Sequence, residues 1–154
     1  MKKVSYIAFL VLTFGLLASC ASGPKFSAMQ SSMPTCNPDM GRVFFYRTAV
    51  IAPAIRPQIV VTGTNYNQEV WKAKANGFFY QDLPPGNYTA DIKMSVADNV
   101  SFTLDKGQTR YVKLNVIPVT ILARHFYLEL VDEQVGLKEI ADCEYTGQPA
   151  NNSK

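Results

Sequence analysis

The fold is decided by the stretch Leu83-Pro84-Pro85-Gly86-Asn87-Tyr88-Thr89-Ala90-Asp91-Ile92-Lys93-Met94. The two prolines stiffen the approach to a bend, and Gly86 permits that bend to be tight. From Tyr88 onward apolar and polar residues alternate, which is typical of a β-strand with one buried face. The stretch therefore predicts a turn followed by a half-buried strand, and no chemistry follows from it.

The same alternation recurs on both sides of this stretch, with turn-forming residues between the apolar runs. It predicts strands over 42–47, 58–62, 66–72, 77–80, 100–104, 111–116 and 125–130. One apolar face per strand indicates an all-β fold, an antiparallel β-sandwich of about seven or eight strands. A small closed β-barrel is the alternative. Residues 42–47 are apolar on both faces, which predicts a central strand.

A short C-terminal helix is predicted after the last strand. Asp132-Glu133-Gln134 has the character of a helix start, and Leu137, Ile140 and Ala141 follow at helical spacing. We expect these apolar residues to seat the helix on the sandwich, although Gly136 weakens the helix by about 1 kcal/mol.

The N-terminus has the organisation of an export signal. Met1-Lys2-Lys3 is positively charged, and residues 4–18 are almost entirely apolar. About fifteen apolar residues are too few for a membrane-spanning helix, which needs about 20, and they suit a signal peptide. An uncleaved anchor helix is the alternative.

The end of this signal, Leu17-Ala18-Ser19-Cys20, resembles the lipobox of bacterial lipoproteins. The resemblance implies cleavage of a signal peptide, residues 1–19, and attachment of acyl chains such as palmitate to Cys20. More than one acyl chain gives stable membrane anchoring. Ala21, where an Asp would favour retention at the inner membrane, implies the outer membrane, facing the periplasm.

Three further segments complete the predicted organisation. Residues 20–39 comprise the lipidated cysteine and a flexible tether, of which the fifteen residues 21–35 have a typical span of roughly 20–23 Å. Residues 40–144 form the sandwich domain, and residues 145–154 form a polar tail.

The two remaining cysteines flank the predicted domain. Because the periplasm is oxidising, a disulfide between Cys36 and Cys143 is expected. Two free thiols or a metal pair are the alternatives. A metal site needs more soft ligands, and His125 is the only histidine in the chain.

Four segments resemble an uncharacterised bacterial lipoprotein domain family related to PEGA-type repeats. They are Gly41-Arg42-Val43-Phe44-Phe45-Tyr46-Arg47, Gly77-Phe78-Phe79, the Leu83–Thr89 turn and strand, and residues 105–113. The resemblance covers roughly residues 40–140 and implies a small transthyretin-like β-sandwich. It implies a structural or binding module of the cell envelope, without an activity to carry over.

Charge and motifs exclude several classes of function. The formal net charge is +3, and without Lys2 and Lys3 it is nearly neutral, which disfavours nucleic-acid binding. The sequence has no Gly-x-Ser-x-Gly elbow and no phosphate-binding glycine loop, and His125 is the only histidine that could act as the base of a hydrolase triad. We therefore expect neither an enzyme nor a cofactor.

A contact surface is predicted on the outer face of the last two strands. A hairpin centred near Val119 places Tyr111 opposite Tyr127 and Lys113 opposite His125. Tyrosine is favoured at protein interfaces. The alternative for His125 is an ordinary solvated position.

The expected function is that of a lipid-anchored, non-enzymatic binding or scaffolding lipoprotein. An accessory lipoprotein of a secretion or transport complex is the alternative, and a cell-wall enzyme is a distant one. The expected partners are the membrane, through the anchor, and other envelope proteins.

Overall fold

A computed structural model describes residues 23–93, 99–119 and 124–147. These residues form nine strands and two short α-helices, the first continued by a 3₁₀ turn, Gln30–Ser32. The strands are β1 (Gly41–Arg47), β2 (Gln58–Gly63), β3 (Tyr66–Lys72), β4 (Gly77–Leu83), β5 (Gly86–Ile92), β6 (Val100–Leu104), β7 (Thr109–Pro118), β8 (Arg124–Val131) and β9 (Glu144–Tyr145). The helices are α1 (Phe26–Met29) and α2 (Glu133–Ile140).

The described strands lie in two sheets packed face to face. One sheet has the order β8-β7-β1-β4-β9, and the other has the order β3-β2-β5-β6. Alternate residues fill the space between them, including Tyr88, Ala90 and Ile92 of β5 and Phe102 and Leu104 of β6. The all-β sandwich and its C-terminal helix are confirmed, and for the described chain the closed-barrel alternative does not apply.

Strand β1 is the centre of the five-stranded sheet, as predicted from its two apolar faces. Val43 and Phe45 point into the core between the sheets, whereas Phe44 and Tyr46 belong to a second cluster on the outer face. All seven residues of β1 are buried.

The prediction of purely antiparallel sheets was wrong for the five-stranded sheet. Strand β1 pairs with β4 in antiparallel fashion but with β7 in parallel, and β4 pairs with β9 in parallel. After β4 the chain crosses to the other sheet, forms β5 and β6, and returns beside the start of β1. The amide of Gly107 donates to the carbonyl of Met40 at this return, 2.9 Å away. The crossover brings β7 into the sheet in the direction of β1.

The helices form a third layer on the outer face of the five-stranded sheet. Phe26 of α1 and Ile140 of α2 pack against Phe44, Tyr46 and Tyr111 of the sheet. Within this layer α2 comes so close to β7 that a β-carbon on Gly136 would lie 2.7 Å from the β-carbon of Tyr111. Glycine is therefore required here by close approach, and this outweighs its cost in helix propensity.

The segment predicted to be a flexible tether is instead packed on the domain from Gly23 onward. Phe26 is buried, because its ring lies edge-on against Phe44 and Phe78 at 5.5 and 5.4 Å between centroids. Main-chain bonds join this segment to β9 and to the residue before it: Gly23 donates to Tyr145 at 3.0 Å and Phe26 donates to Cys143 at 2.9 Å. A single buried aromatic in a polar segment leaves no periodic signal in the sequence.

The tail predicted for residues 145–154 begins later than expected. Tyr145 lies in β9 beside Phe78, and the Thr146 amide donates to the Phe78 carbonyl at 2.9 Å. The Thr146 hydroxyl also accepts a hydrogen bond from the Trp71 indole at 3.0 Å. Residues 145–147 are thus part of the domain.

The sandwich has two ends, named here after the last and first residues of β1. The Arg47 end is where β1 ends, β4 begins at Gly77 and β2 begins at Gln58. The Gly41 end is where β1 begins and β4 ends at Leu83.

Candidate functional site

The predicted contact surface of Tyr111, Lys113, His125 and Tyr127 is wrong in its register. Tyr111 pairs with Val131, and Lys113 pairs with Glu129. Tyr127 lies opposite Asn115, and His125 lies opposite Ile117. The hairpin is longer than expected, with its last described pair at Pro118 and Arg124, so each residue is displaced by four positions along the partner strand.

Tyr111 is a core residue rather than a contact residue. Its side chain is 3% exposed, lies beneath Gly136 of α2, and stacks on Phe44 at 5.2 Å between centroids. Burial, with a smaller contribution from Glu133, raises the pKa of its hydroxyl to about 12. His125 and Tyr127 are half-buried on β8, where their rings stack at 6.2 Å. The four residues therefore do not form one patch.

Lys113 belongs to a polar network that joins β7, β1 and α2. Its ammonium group donates to Glu139 at 2.7 Å, and the Tyr46 hydroxyl donates to the same carboxylate at 2.6 Å. Burial opposes ionisation of Glu139, but the bonds from Lys113 and Tyr46 outweigh it and hold the pKa of Glu139 below its ordinary value. The network fastens α2 to the sheet.

The expected disulfide between Cys36 and Cys143 is also wrong, because both thiols are free. Cys36 lies beside Asp82 near the end of β4, whereas Cys143 adjoins Glu144, which pairs with Gly77 at the start of β4. The five steps from Gly77 to Asp82 span about 17 Å along a strand. A disulfide needs α-carbons within about 7 Å, so the two cysteines are too far apart.

Neither thiol has the environment of a reactive cysteine. Burial raises the pKa of Cys143 to about 12, and burial together with the charge of Asp82 raises the pKa of Cys36. A reactive cysteine needs the opposite shift, towards the thiolate. Cys20, the predicted lipidation site, and the signal peptide before it lie outside the described residues.

The most unusual buried group is Arg47, at the end of β1. Its side chain is 0% exposed, and burial lowers the pKa of its guanidinium. The guanidinium donates only to main-chain carbonyls in the contacts described: Ile55 at 2.8 Å, Ala73 at 3.3 Å, Ile51 at 2.5 Å and Ala52 at 3.1 Å. A buried charge needs such partners, so Arg47 gathers the 48–57 loop around itself.

Arg47 also connects this loop to the β7–β8 hairpin. Its guanidinium carbon lies 5.7 Å from the ring centre of Phe126 on β8. Within the loop, Ala52 has a φ of +53°, a conformation that is unfavourable for a residue with a β-carbon. The hydrogen bond from Arg47 to the Ala52 carbonyl helps to hold it.

Large apolar side chains are exposed around Arg47. In the loop, Val50 is 69% and Ile51 is 44% exposed. In the hairpin, Ile117 is 47% and Val119 is 63% exposed. Strands β1 and β7 are parallel, and their pairing ends at Tyr46 and Lys113. The exposed side chains of the loop and those of the hairpin therefore project from the same end of the sandwich, the Arg47 end.

A small groove lies at the opposite, Gly41 end, between the helices and the five-stranded sheet. Its volume is about 240 Å³. Its floor is apolar and its rim carries Arg42, which is paired with Asp82 at 2.6 and 2.8 Å and lies 4.5 Å above the Tyr80 ring. The lining includes Phe26, Met33, Cys36, Phe44, Tyr111 and Leu137.

Sequence reasoning missed Arg47 and the apolar end that it organises. The available signal was the charge pattern, because no acidic residue occurs between Asp39 and Glu69. This absence does not identify the partners of Arg47, because a buried arginine can pair with an acidic residue distant in sequence, as Arg42 does with Asp82. The pattern gave no indication of burial.

No protein-family model matches the chain, and no curated protein matches it. The PEGA-type resemblance therefore stays an expectation. Among the described residues there is no helix of sufficient length and apolar character to cross a membrane. Within those same ranges, no three His, Cys, Asp or Glu side chains are grouped as a metal would require.

Proposed function

We propose that this chain is a lipid-anchored protein of the bacterial cell envelope that acts as a non-enzymatic binding or scaffolding module. Its anchor is Cys20, at the end of a lipobox-like motif, and its working part is the three-layer β-sandwich. We assign it to the outer membrane, facing the periplasm, because Ala21 rather than Asp follows the lipidated cysteine.

One observation carries the proposal: Gly23, only three residues after the motif, is already bonded into the domain. Gly23 is bonded to Tyr145 at 3.0 Å, three residues after Cys20. Three residues span at most about 10 Å between α-carbons. A signal-like sequence joined so closely to a folded domain fits an anchor that holds this domain at a membrane surface.

The distribution of features along the sandwich supports a binding role. Gly23 is bonded to Tyr145, which pairs with Phe78 near the Arg47 end, whereas the groove lies at the Gly41 end. A volume of about 240 Å³ is below the usual range for small-molecule sites, roughly 300–1,000 Å³. The groove is better suited to a side chain or short segment of another protein.

The chemistry of the described side chains favours binding over catalysis. Arg42 is neutralised by Asp82, and Glu139 is neutralised by Lys113. The Cys36 thiol, at the groove, has a raised pKa. These groups stabilise the fold, and none of them is poised as a nucleophile or a general base.

The anchor is tested by metabolic labelling of cells with a fatty-acid probe, followed by membrane fractionation. The wild-type chain should carry the label and sediment with membranes. Cys20→Ser should abolish labelling, whereas Cys36→Ser is the matched control and should leave it unchanged. Label retained on Cys20→Ser, or a soluble unlabelled wild-type protein, would sink the proposal.

A further inference from the structure

We propose that the Arg47 end of the sandwich is a membrane-docking surface, whose exposed apolar side chains enter the interfacial layer of the lipid bilayer. The bilayer is the one that holds the acyl chains of Cys20, so this inference rests on the proposed lipid anchor. The docking residues are Val50, Ile51, Ile117 and Val119.

Exposed apolar side chains cluster at the Arg47 end. Single exposed apolar residues are ordinary on protein surfaces, whereas a group at one end marks a contact site. In the described chain six large apolar side chains are exposed, and only Leu130 and Val135 lie away from the Arg47 end. Val50 and Val119, at 69% and 63% exposed, are the most accessible of the six.

The described part of the β7–β8 hairpin projects beyond the end of β1. Tyr46 is level with Lys113, so Arg47 is level with the next residue of β7. Ile117 lies three residues further, about 10 Å beyond β1, and Val119 lies further still. A surface below this end would therefore meet Ile117 and Val119 before it met β1.

The proposed lipid anchor at Cys20 has a short reach. Gly23 is held beside Tyr145, which pairs with Phe78, one residue from the Arg47 end of β4. Cys20 must lie within about 10 Å of Gly23. The domain cannot float freely above the bilayer on so short a connection, so its surface must lie close to the lipid headgroups.

Exposed positive charge also lies at the Arg47 end. Exposed basic side chains lie at the ends of three strands or loops here: Arg56 just before β2, Lys72 at the end of β3 and Lys93 just after β5. The exposed acidic residues of the same described strands, Glu69 and Asp91, lie further in, both paired with one residue of β2. Basic side chains around an apolar tip are attracted to anionic lipid headgroups.

The test uses the mature acylated protein in vesicles of phosphatidylethanolamine and phosphatidylglycerol, with and without brominated acyl chains. V119W and V50W each introduce an indole at a docking position. V135W is the matched control, because Val135 is also an exposed valine, at 46%, but lies on α2. Trp71, 4% exposed, gives a background that is subtracted with the wild-type protein.

Indoles inserted at docking positions should be quenched by the brominated lipids roughly twofold or more beyond V135W, with emission shifted to the blue. The mass of each protein is measured beforehand. If Cys20 carries acyl chains and V119W and V50W are quenched no more than V135W, docking is refuted while the anchor stands; a protein partner would then be the occupant of this end. If Cys20 carries no acyl chains, the proposed function and this inference both fail.

Discussion

Gly136 is the residue whose replacement best separates the three-layer structure from a sandwich with a loosely attached helix. In an undocked helix, Gly136→Ala would stabilise the chain, because alanine is preferred over glycine in helices by about 1 kcal/mol. In the structure, the added β-carbon would lie 2.7 Å from both Cβ and Cδ1 of Tyr111. Normal contacts are 3.4–4 Å, so α2 must move away from β7 by about 1 Å.

The cost of that movement can be bounded. Overpacking a well-packed site costs about 1–3 kcal/mol, which exceeds the gain in helix propensity over most of this range. Tyr111 cannot yield easily, because the clash is with the root of its side chain and its ring stacks on Phe44. Because the site yields so little, we take the upper part of the overpacking range, about 2–3 kcal/mol, from which the gain of about 1 kcal/mol in helix propensity is subtracted. We therefore expect Gly136→Ala to lower the free energy of unfolding by about 1–2 kcal/mol, or the melting temperature by roughly 3–8 °C.

Urea unfolding and thermal melts of the full-length protein measure this effect. Val135→Ala is the control, because it improves helix propensity at the neighbouring exposed position and should leave stability within about 0.5 kcal/mol. A Gly136→Ala protein as stable as the wild type, or more stable, would show that α2 is not docked on Tyr111 as described.

Three other predictions concern charge and thiols. Arg47→Met should lower the free energy of unfolding by about 2–4 kcal/mol, because four main-chain carbonyls lose their hydrogen-bond donor. Amide hydrogen exchange should rise first in residues 51–57, and unchanged exchange in these residues would contradict the role of Arg47 in organising the loop. Glu139→Gln should cost about 1–2 kcal/mol near neutral pH. Because the pKa of Glu139 is lowered in the folded state, the stability difference between the wild type and this variant should persist above pH 4.5, the ordinary pKa of glutamate, and shrink as the pH falls below that value. Urea unfolding near pH 7 and near pH 3 measures the difference, and equal values at the two pH values would contradict the network. Alkylation and mass spectrometry of native protein should modify Cys36 first and Cys143 only after unfolding, whereas a linked pair that resists alkylation would restore the disulfide.

The sequence was sufficient for the location of β1 to β8 and for their buried faces, whereas β9 was missed. Alternation placed Tyr88, Ala90 and Ile92 on the inner face of β5, and the doubly apolar pattern of β1 placed it at the sheet centre. Both inferences depend only on the side-chain period of a strand, which is a local property.

Partners and registers were not predictable in the same way, because they depend on contacts distant in sequence. The β7–β8 connection has no Gly or Asn to set its centre, so the register was misjudged by four positions. The outer face of β7 alternates Tyr111, Lys113 and Asn115, which is typical of a solvated face. Tyr and Lys are amphipathic, however, and here they lie under α2 with their polar ends bonded or accommodated.

The candidate site was recovered only in part. Cys20 and its lipobox-like context follow from local sequence and stand as a proposal. The loop around Arg47 and the exposed hairpin became visible only when β1 and β7 were found to be parallel, which brings residues 48–57 and 114–119 to one end of the sandwich.

The measurement that tests the central claim most directly is the mass of the N-terminal tryptic peptide of the protein extracted from bacterial membranes. Trypsin should release residues 20–25, ending at Lys25, with Cys20 as the first residue. We expect this peptide to carry a diacylglyceryl group on the Cys20 sulfur. A mature chain that retains Met1, begins elsewhere, or yields residue 20 as an unmodified cysteine would contradict it.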